Sequence, residues 1–312
     1  MSWVPAIGKD TLETCSLVDP GDRRALRLYY LLLACILTLL VVPLWVVEYN
    51  TLVDFPGHLA RAYVLKNYAH VPFFQQLFTL VIEPLPNMAA DLFIPPLLSW
   101  WTPLTAGKIF LSIIVLSFGW GCHLLAVSIH GRPSWTAPLC ALLAYHSNFL
   151  YGFVNYSLGL GIFLVALALW IRYHSRWTVP RGLLIALLAV IAYLSHLSAF
   201  GFFAMSAGWL LLWDWWMRRR PVWRDALPLV LLAPPALLYL YPWTNRVAFH
   251  DPVWPSITEK IVGAGALFIG YEYAIDSLIL SALLLVVVLV LWRGNATVAK
   301  PFLWLGGVFL LL

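Results

Sequence analysis

The sequence predicts an all-α, polytopic bundle of transmembrane helices. Three observations carry that reading: the composition, a series of long apolar runs, and the placement of the basic residues. Of 312 residues, 62% are hydrophobic and 11% are charged, with a mean hydropathy of +0.85. A soluble domain carries about 25% charged residues. So little charge cannot face water around so much apolar side chain, whereas a bilayer accepts it. The chain has 17 tryptophans, several at run ends, as in "SWWTP", "LLWDWWMRRR" and "LYPWTNR". That position suits an indole ring, which is apolar but carries an N–H that needs water.

In chain order, residues 1–27 are polar and mixed in charge. They lack an apolar stretch followed by a small-residue cleavage site, so an uncleaved cytoplasmic tail is expected. A transmembrane domain is expected over 28–312. Its first helix is predicted over 28–47, about 30 Å at 1.5 Å per residue, enough to cross. Further apolar runs cover 109–128, 136–151, 157–171, 183–195, 199–213, 226–242, 274–292 and 302 onward. One crossing per run gives about nine. The sequence stops inside "PFLWLGGVFLLL", so a longer C-terminal part is expected. The 92–101 stretch, "LFIPPLLSWW", holds Pro95 and Pro96 and reads as a half-helix dipping in from one side. A hairpin turning at "SHLS" is expected within 183–213, because a single helix there would place Arg218, Arg219 and Arg220 outside.

Orientation follows from the bases. With the N-terminus inside, only Arg61, Lys66, Lys108, Arg246 and Lys260 of the 19 Lys and Arg fall on outside segments. The remainder lie inside, as the positive-inside rule requires. This accounts for the pI of about 9.0 without nucleic acid as a partner. Cys15, Cys35, Cys122 and Cys140 show no CxxC or other metal spacing. They read as inert packing residues, and neither a metal site nor a cofactor has a motif to support it.

This topology gathers the unusual polar residues on the outside. The first outer loop, 48–108, holds Asp54, His58, Arg61, Lys66, Glu83 and Asp91. The second turn offers His146, Asn148 and Asn155, the third His196, and the fourth Arg246, His250, Asp251, Glu259 and Glu272. Polar groups so near hydrocarbon usually line a cavity or a site.

Each residue has a structural reading beside its functional one. Asp54, followed by Pro56 and the helix-compatible "GHLARAYVLKNY", suits a helix N-cap. A partly desolvated carboxylate at a helix end also suits a general base. In a helix, His58 at i+4 and Arg61 at i+7 share a face with Asp54. Carboxylate, imidazole and guanidinium together can hold a proton and a phosphate. The structural alternative is a solvated interfacial helix with an internal ion pair. Asp91 reads either as the N-cap of the half-helix or as a second site carboxylate, and Glu83 as a loop carboxylate. Asn148 and Asn155 are turn residues or substrate contacts, and His196 is a buried turn residue or a contact. Arg246 follows a helix end, where it pairs with a lipid phosphate or snorkels. Gly159 and Gly161 in "SLGLG" indicate close helix packing. No strand precedes them, which excludes a dinucleotide-binding loop.

This pattern resembles the GT-C fold glycosyltransferases, polytopic enzymes that use polyprenyl-phosphate-linked sugars and include the protein O-mannosyltransferases and the aminoarabinose transferase of lipid A. The similarity lies in the inside N-terminus, the long outer loop after the first helix, the acidic residue opening it in "LVDFPGHLAR", the membrane-surface helix at about 56–70, and "FLYGFVNYSLGLG". An Asp-Glu pair after the first helix, present in some members, is absent here. The resemblance implies an inverting transfer on the extracytoplasmic face of a bacterial inner membrane. It implies Asp54 as general base, His58 orienting it, and Arg61, Lys66 and Arg246 on the donor phosphate. Asp91, Asn148, Asn155, His196 and His250 would be the substrate contacts. The partners implied are a polyprenyl-phosphate sugar, an acceptor of unread class and the membrane lipids. Two rival readings stand beside it: a polyprenyl-lipid or glycolipid transporter or flippase, and a non-catalytic assembly subunit.

Overall fold

The structure is a computed structural model that describes residues 17–81, 83–173, 177–218 and 227–240, with a few isolated positions beyond. Every element among the described residues is helical. Among these residues extended backbone pairs only at the Leu17–Ser134 bridge.

Helix α1 spans Arg23–Val46. It starts five residues before the apolar run does, because the Asp22 carboxylate accepts the N–H groups of Arg24 and Ala25 at 2.8 and 3.1 Å. That satisfies two of the orphan donors at the helix start. Its buried positions, Tyr29, Leu33, Ile36, Leu40 and Leu44, recur at three- and four-residue spacing and face the protein. Leu31, Leu39 and Val46 stay exposed, as a lipid-facing side does.

Short helices α2 (Phe55–Asn67), α3 (Pro72–Leu77) and α4 (Ala89–Leu97) fill the first long connection. Helix α4 overlaps the 92–101 stretch but starts three residues earlier and ends at Leu97, with both prolines inside it. Helix α5 spans Pro103–His130. Thr102 caps its start, Pro103 opens its first turn, and Gly131 closes it with φ +72°, the left-handed conformation that favours glycine.

The 136–151 run does not form one helix. It divides into α6 (Thr136–Ala141), a 3-10 turn (Leu142–Tyr145) and α7 (Ser147–Leu150). The Tyr145 hydroxyl donates to the Leu40 carbonyl at 2.7 Å, and His146 turns to an extended backbone. Helices α8 (Val154–Tyr173), α9 (Val179–Ser195) and α10 (Leu197–Arg218) follow. The break at His196 makes 183–213 a hairpin, as expected. A 3-10 turn (Leu227–Leu232) and α11 (Ala233–Leu240) complete the described part. The expected crossings at 274–292 and from 302 lie outside the described residues.

Four helices, α1, α5, α8 and α10, are long and apolar enough to cross a membrane, and α9 is a shorter apolar helix. The chain is therefore a membrane protein, with four such helices among the described residues. Local contacts fix which ends lie together. The start of α1 meets the segment after α5 through the bond from the Val18 N–H to the Pro133 carbonyl. The end of α1 meets the start of α5: Trp45 donates to Ser112 at 3.0 Å, and Lys108 to the Val47 carbonyl at 2.6 Å. The 132–151 segment then leads back, because the Asp54 N–H reaches the Tyr151 carbonyl at 3.0 Å. The turns after α1, α7 and α9 thus share one end of the bundle.

Glycines allow the central helices to touch. A Cβ on Gly161 of α8 would lie 2.9 Å from the Phe118 backbone nitrogen of α5, and one on Gly159 would lie 2.7 Å from the Ala199 Cβ of α10. Gly57, exposed on α2, has nothing within 4 Å of such an atom. Thermal unfolding in detergent is expected to separate the two cases. Gly161→Ala should destabilise by about 1–3 kcal/mol through overpacking. Gly57→Ala should be neutral or stabilise by about 0.5–1 kcal/mol, because alanine is the better helix former.

Candidate functional site

The site grows from the N-terminus of α2. Asp54 occupies the N-cap position and Pro56 lies in the first turn, as expected. The expected capping bond is absent: the backbone at Asp54 is helical and its side chain accepts no N–H. Its main chain holds it instead, with the N–H donating to Tyr151 and the carbonyl accepting from Gly57 and His58. The carboxylate is exposed and makes no hydrogen bond among the described residues.

Gly152 permits this arrangement. It adopts φ +87°, and a Cβ there would stand 2.6 Å from the Asp54 nitrogen and 2.8 Å from the Phe55 nitrogen. Only glycine accepts both that backbone and that approach. The sequence contained the signal, a Tyr-Gly turn after a short apolar run, but not its partner a hundred positions away.

His58 and Arg61 share a face with Asp54, as the spacing requires. His58 is half-buried, and burial holds its imidazole below the ordinary value. The carboxylates of Asp91 and Asp54 pull it upward, while the Arg61 guanidinium adds to the lowering.

Asp91 is not the cap of α4. Met88 holds that position and Asp91 sits in the first helical turn, beneath α2. Its side chain is 4% exposed, and its Oδ2 lies 2.6 Å from Nη2 of Arg61, which is 60% exposed. The contact is close but too poorly aligned to count as a hydrogen bond, and Oδ1 has no hydrogen-bond partner either. Burial raises the Asp91 carboxyl above its usual range, and the opposing pull of Arg61 and then His58 is smaller. One edge of the guanidinium rests on Asp91 while the rest of the side chain stays open to solvent. Lys66, five residues further on, donates from Nζ to Ser99 Oγ at 2.6 Å.

Asn155 is the frame of this site. It is 2% exposed. Its Oδ1 accepts the Ala90 N–H at 2.7 Å, and its Nδ2 donates to the Asn87 carbonyl at 2.8 Å. The expected substrate contact is thus spent on holding the start of α4. Asn148 lies beside the Tyr156 hydroxyl. The Tyr156 ring makes an edge contact with His196 at 5.2 Å and another with His146 at 6.2 Å. His196 Nδ1 accepts the Ser198 N–H at 3.2 Å, and His146 Nδ1 accepts that of Phe149 at 3.3 Å. In the neutral form each ring therefore carries its proton on Nε2. Tyr156, which joins the two histidines, had no sequence signal of its own. Arg246 and His250 lie outside the described residues.

The arrangement offers an exposed carboxylate for a proton, a neutral imidazole beside it, and an anchored guanidinium for an anion. A stability test reads its electrostatics. The raised Asp91 pKa means that the ionised form costs stability in the fold, a cost that sets in as pH rises past about 3.8 and through the folded value. Asp91→Asn is expected to melt no lower than the parent at pH 7, with any advantage shrinking as the pH falls toward 4. The lowered pKa of His58 acts in another window, costing stability as pH falls below about 6.5. A clear drop in melting temperature for Asp91→Asn at pH 7 would mean that the ion pair outweighs burial. In comparisons with family models, curated proteins and solved structures, nothing matches this chain.

Proposed function

We propose that the chain is a membrane glycosyltransferase of the GT-C type. It moves a sugar from a polyprenyl-phosphate donor to an acceptor on the extracytoplasmic face of a bacterial inner membrane, with the N-terminus in the cytoplasm. The observation that carries this reading is the polar face of α2: an unbonded Asp54 carboxylate beside an Arg61 guanidinium seated on buried Asp91. It lies at one end of an apolar bundle, where a donor in the bilayer and a polar acceptor outside can meet.

In the proposed reaction the Asp54 carboxylate takes the proton of the acceptor hydroxyl, and the acceptor oxygen attacks the anomeric carbon. The anomeric carbon–oxygen bond to phosphate breaks, the electron pair leaves with polyprenyl phosphate, and the configuration inverts. Arg61 meets the charge that grows on the phosphate, where a fixed cation helps most. Asp91 holds that guanidinium in place, and Lys66 adds a second cation five residues further along α2. His58, neutral at pH 7, orients the Asp54 carboxylate. Asn148, His196 and His250 contact the substrate, and Arg246 is a further cation for the donor phosphate. A carrier would need its charges near the midplane and open to both sides. The charges of this site lie instead in the connection between two spanning helices.

The test is transfer and lipid retention by the full-length protein in mild detergent. Asp54→Asn should lower transfer at least about 100-fold, the scale of general-base catalysis, while still retaining polyprenyl phosphate in native mass spectrometry. Arg61→Ala should lose the lipid phosphate. Full transfer by Asp54→Asn would remove the carboxylate from the role of base. Absence of lipid phosphate from every form, even after addition, would favour a structural subunit.

A further inference from the structure

The opposite face of α2 borders a second feature. Phe55 and Leu59 from α2, with Leu104 from the first turn of α5, line a pocket of about 110 Å³ at the end of α1. These three are apolar, but Glu48 and Lys108 line the same pocket. They do not pair with each other. Lys108 donates to the Val47 carbonyl at 2.6 Å, and Glu48 lies beside the Tyr49 hydroxyl. An ammonium has three donors and a carboxylate about four acceptor sites, so each retains capacity for a ligand.

The position of this pocket along the bundle narrows its ligand. It lies where α1 ends at Val46. Trp45 stands next to it, with its ring centroid 6.0 Å from Lys108 Nζ and its indole N–H on Ser112. A Trp and a Lys at the end of a spanning helix mark the level of lipid headgroups. Just below, Val42, Trp45 and Val46 are 43, 46 and 77% exposed, a surface along which acyl chains can lie.

We infer that this pocket holds the headgroup of a zwitterionic phospholipid, with its phosphate on Lys108 and its ammonium on Glu48. The glycerol portion rests on Phe55, Leu59 and Leu104. A purely anionic headgroup satisfies Lys108 but meets a repelling Glu48, and a purely cationic one has the converse problem. Only a headgroup with both charges complements both sides. The inference does not depend on sugar transfer, since it uses neither Asp54 nor Arg61.

The experiment is native mass spectrometry of the full chain in mild detergent, incubated with equal amounts of phosphatidylethanolamine and phosphatidylglycerol. The parent should retain phosphatidylethanolamine over phosphatidylglycerol about tenfold, the ratio that one charge-assisted contact supports. Glu48→Gln should shift the preference toward phosphatidylglycerol, and Lys108→Gln should lose both lipids. Lys108→Arg keeps the charge and should keep both binding and preference, which separates a charge effect from a folding effect. Leu31→Ala, on the lipid-facing side of α1, should behave as the parent. Equal retention of the two lipids by the parent, or the same lipid pattern in Glu48→Gln as in the parent, would overturn the assignment.

Discussion

The amide of Asn155 is the interaction on which the rest of the site depends. A helix start leaves N–H groups without partners, and a helix end leaves carbonyls. Helix α4 has no capping side chain of its own. The Asn155 carbonyl oxygen, reaching in from α8, satisfies the Ala90 N–H, and its amide nitrogen satisfies the Asn87 carbonyl. The Met88 N–H in turn satisfies the Leu194 carbonyl at the end of α9 at 2.7 Å. Each buried helix end thus serves another. A buried polar group without a partner costs about 1–3 kcal/mol, so this mutual satisfaction holds three segments, distant in sequence, at one place.

That clamp explains how Asp91 comes to be buried. Helix α4 is held under α2, and its first turn carries Asp91 away from water to a position beside Arg61 and His58. A buried carboxylate is costly, and one close, imperfectly aligned guanidinium does not fully offset its desolvation. The cost fixes a direction for Arg61, a side chain that would otherwise lose about 2 kcal/mol of rotamer entropy on being ordered. The same helix thereby presents a polar face toward Asp91 and an apolar face toward the end of α1. Gly152 sets the height of both faces by admitting the Asp54 backbone.

Much of the frame was legible in the sequence. Apolar runs located α1, α5, α8, α9 and α10 to within a few residues. The ends moved outward because Asp22 and Thr102 cap earlier than the hydropathy begins. The face shared by Asp54, His58 and Arg61 followed from helical spacing, and the close approach at Gly159 and Gly161 from glycine itself. The break in 136–151 was hidden, because its composition is as apolar as that of a helix, and the bond from Tyr145 to Leu40 is a tertiary matter. The Arg61–Asp91 pair was hidden for the same reason: thirty positions apart, the two meet only because Asn155 places α4. Asn155 showed its polarity in the sequence but not its partners, so a clamp read as a contact.

The turns after α1, α7 and α9 lie at one end of the bundle and form one site. Cysteine accessibility in intact cells tests this most directly, with single cysteines in the full-length chain, its native thiols replaced, and a membrane-impermeant reagent. The account predicts that cysteines at Lys66, Asn148 and Ser198 share one labelling behaviour, and that one at Gly131 shows the opposite. Labelling that divides Lys66 from Asn148 would contradict it, because the site would then be split across the membrane.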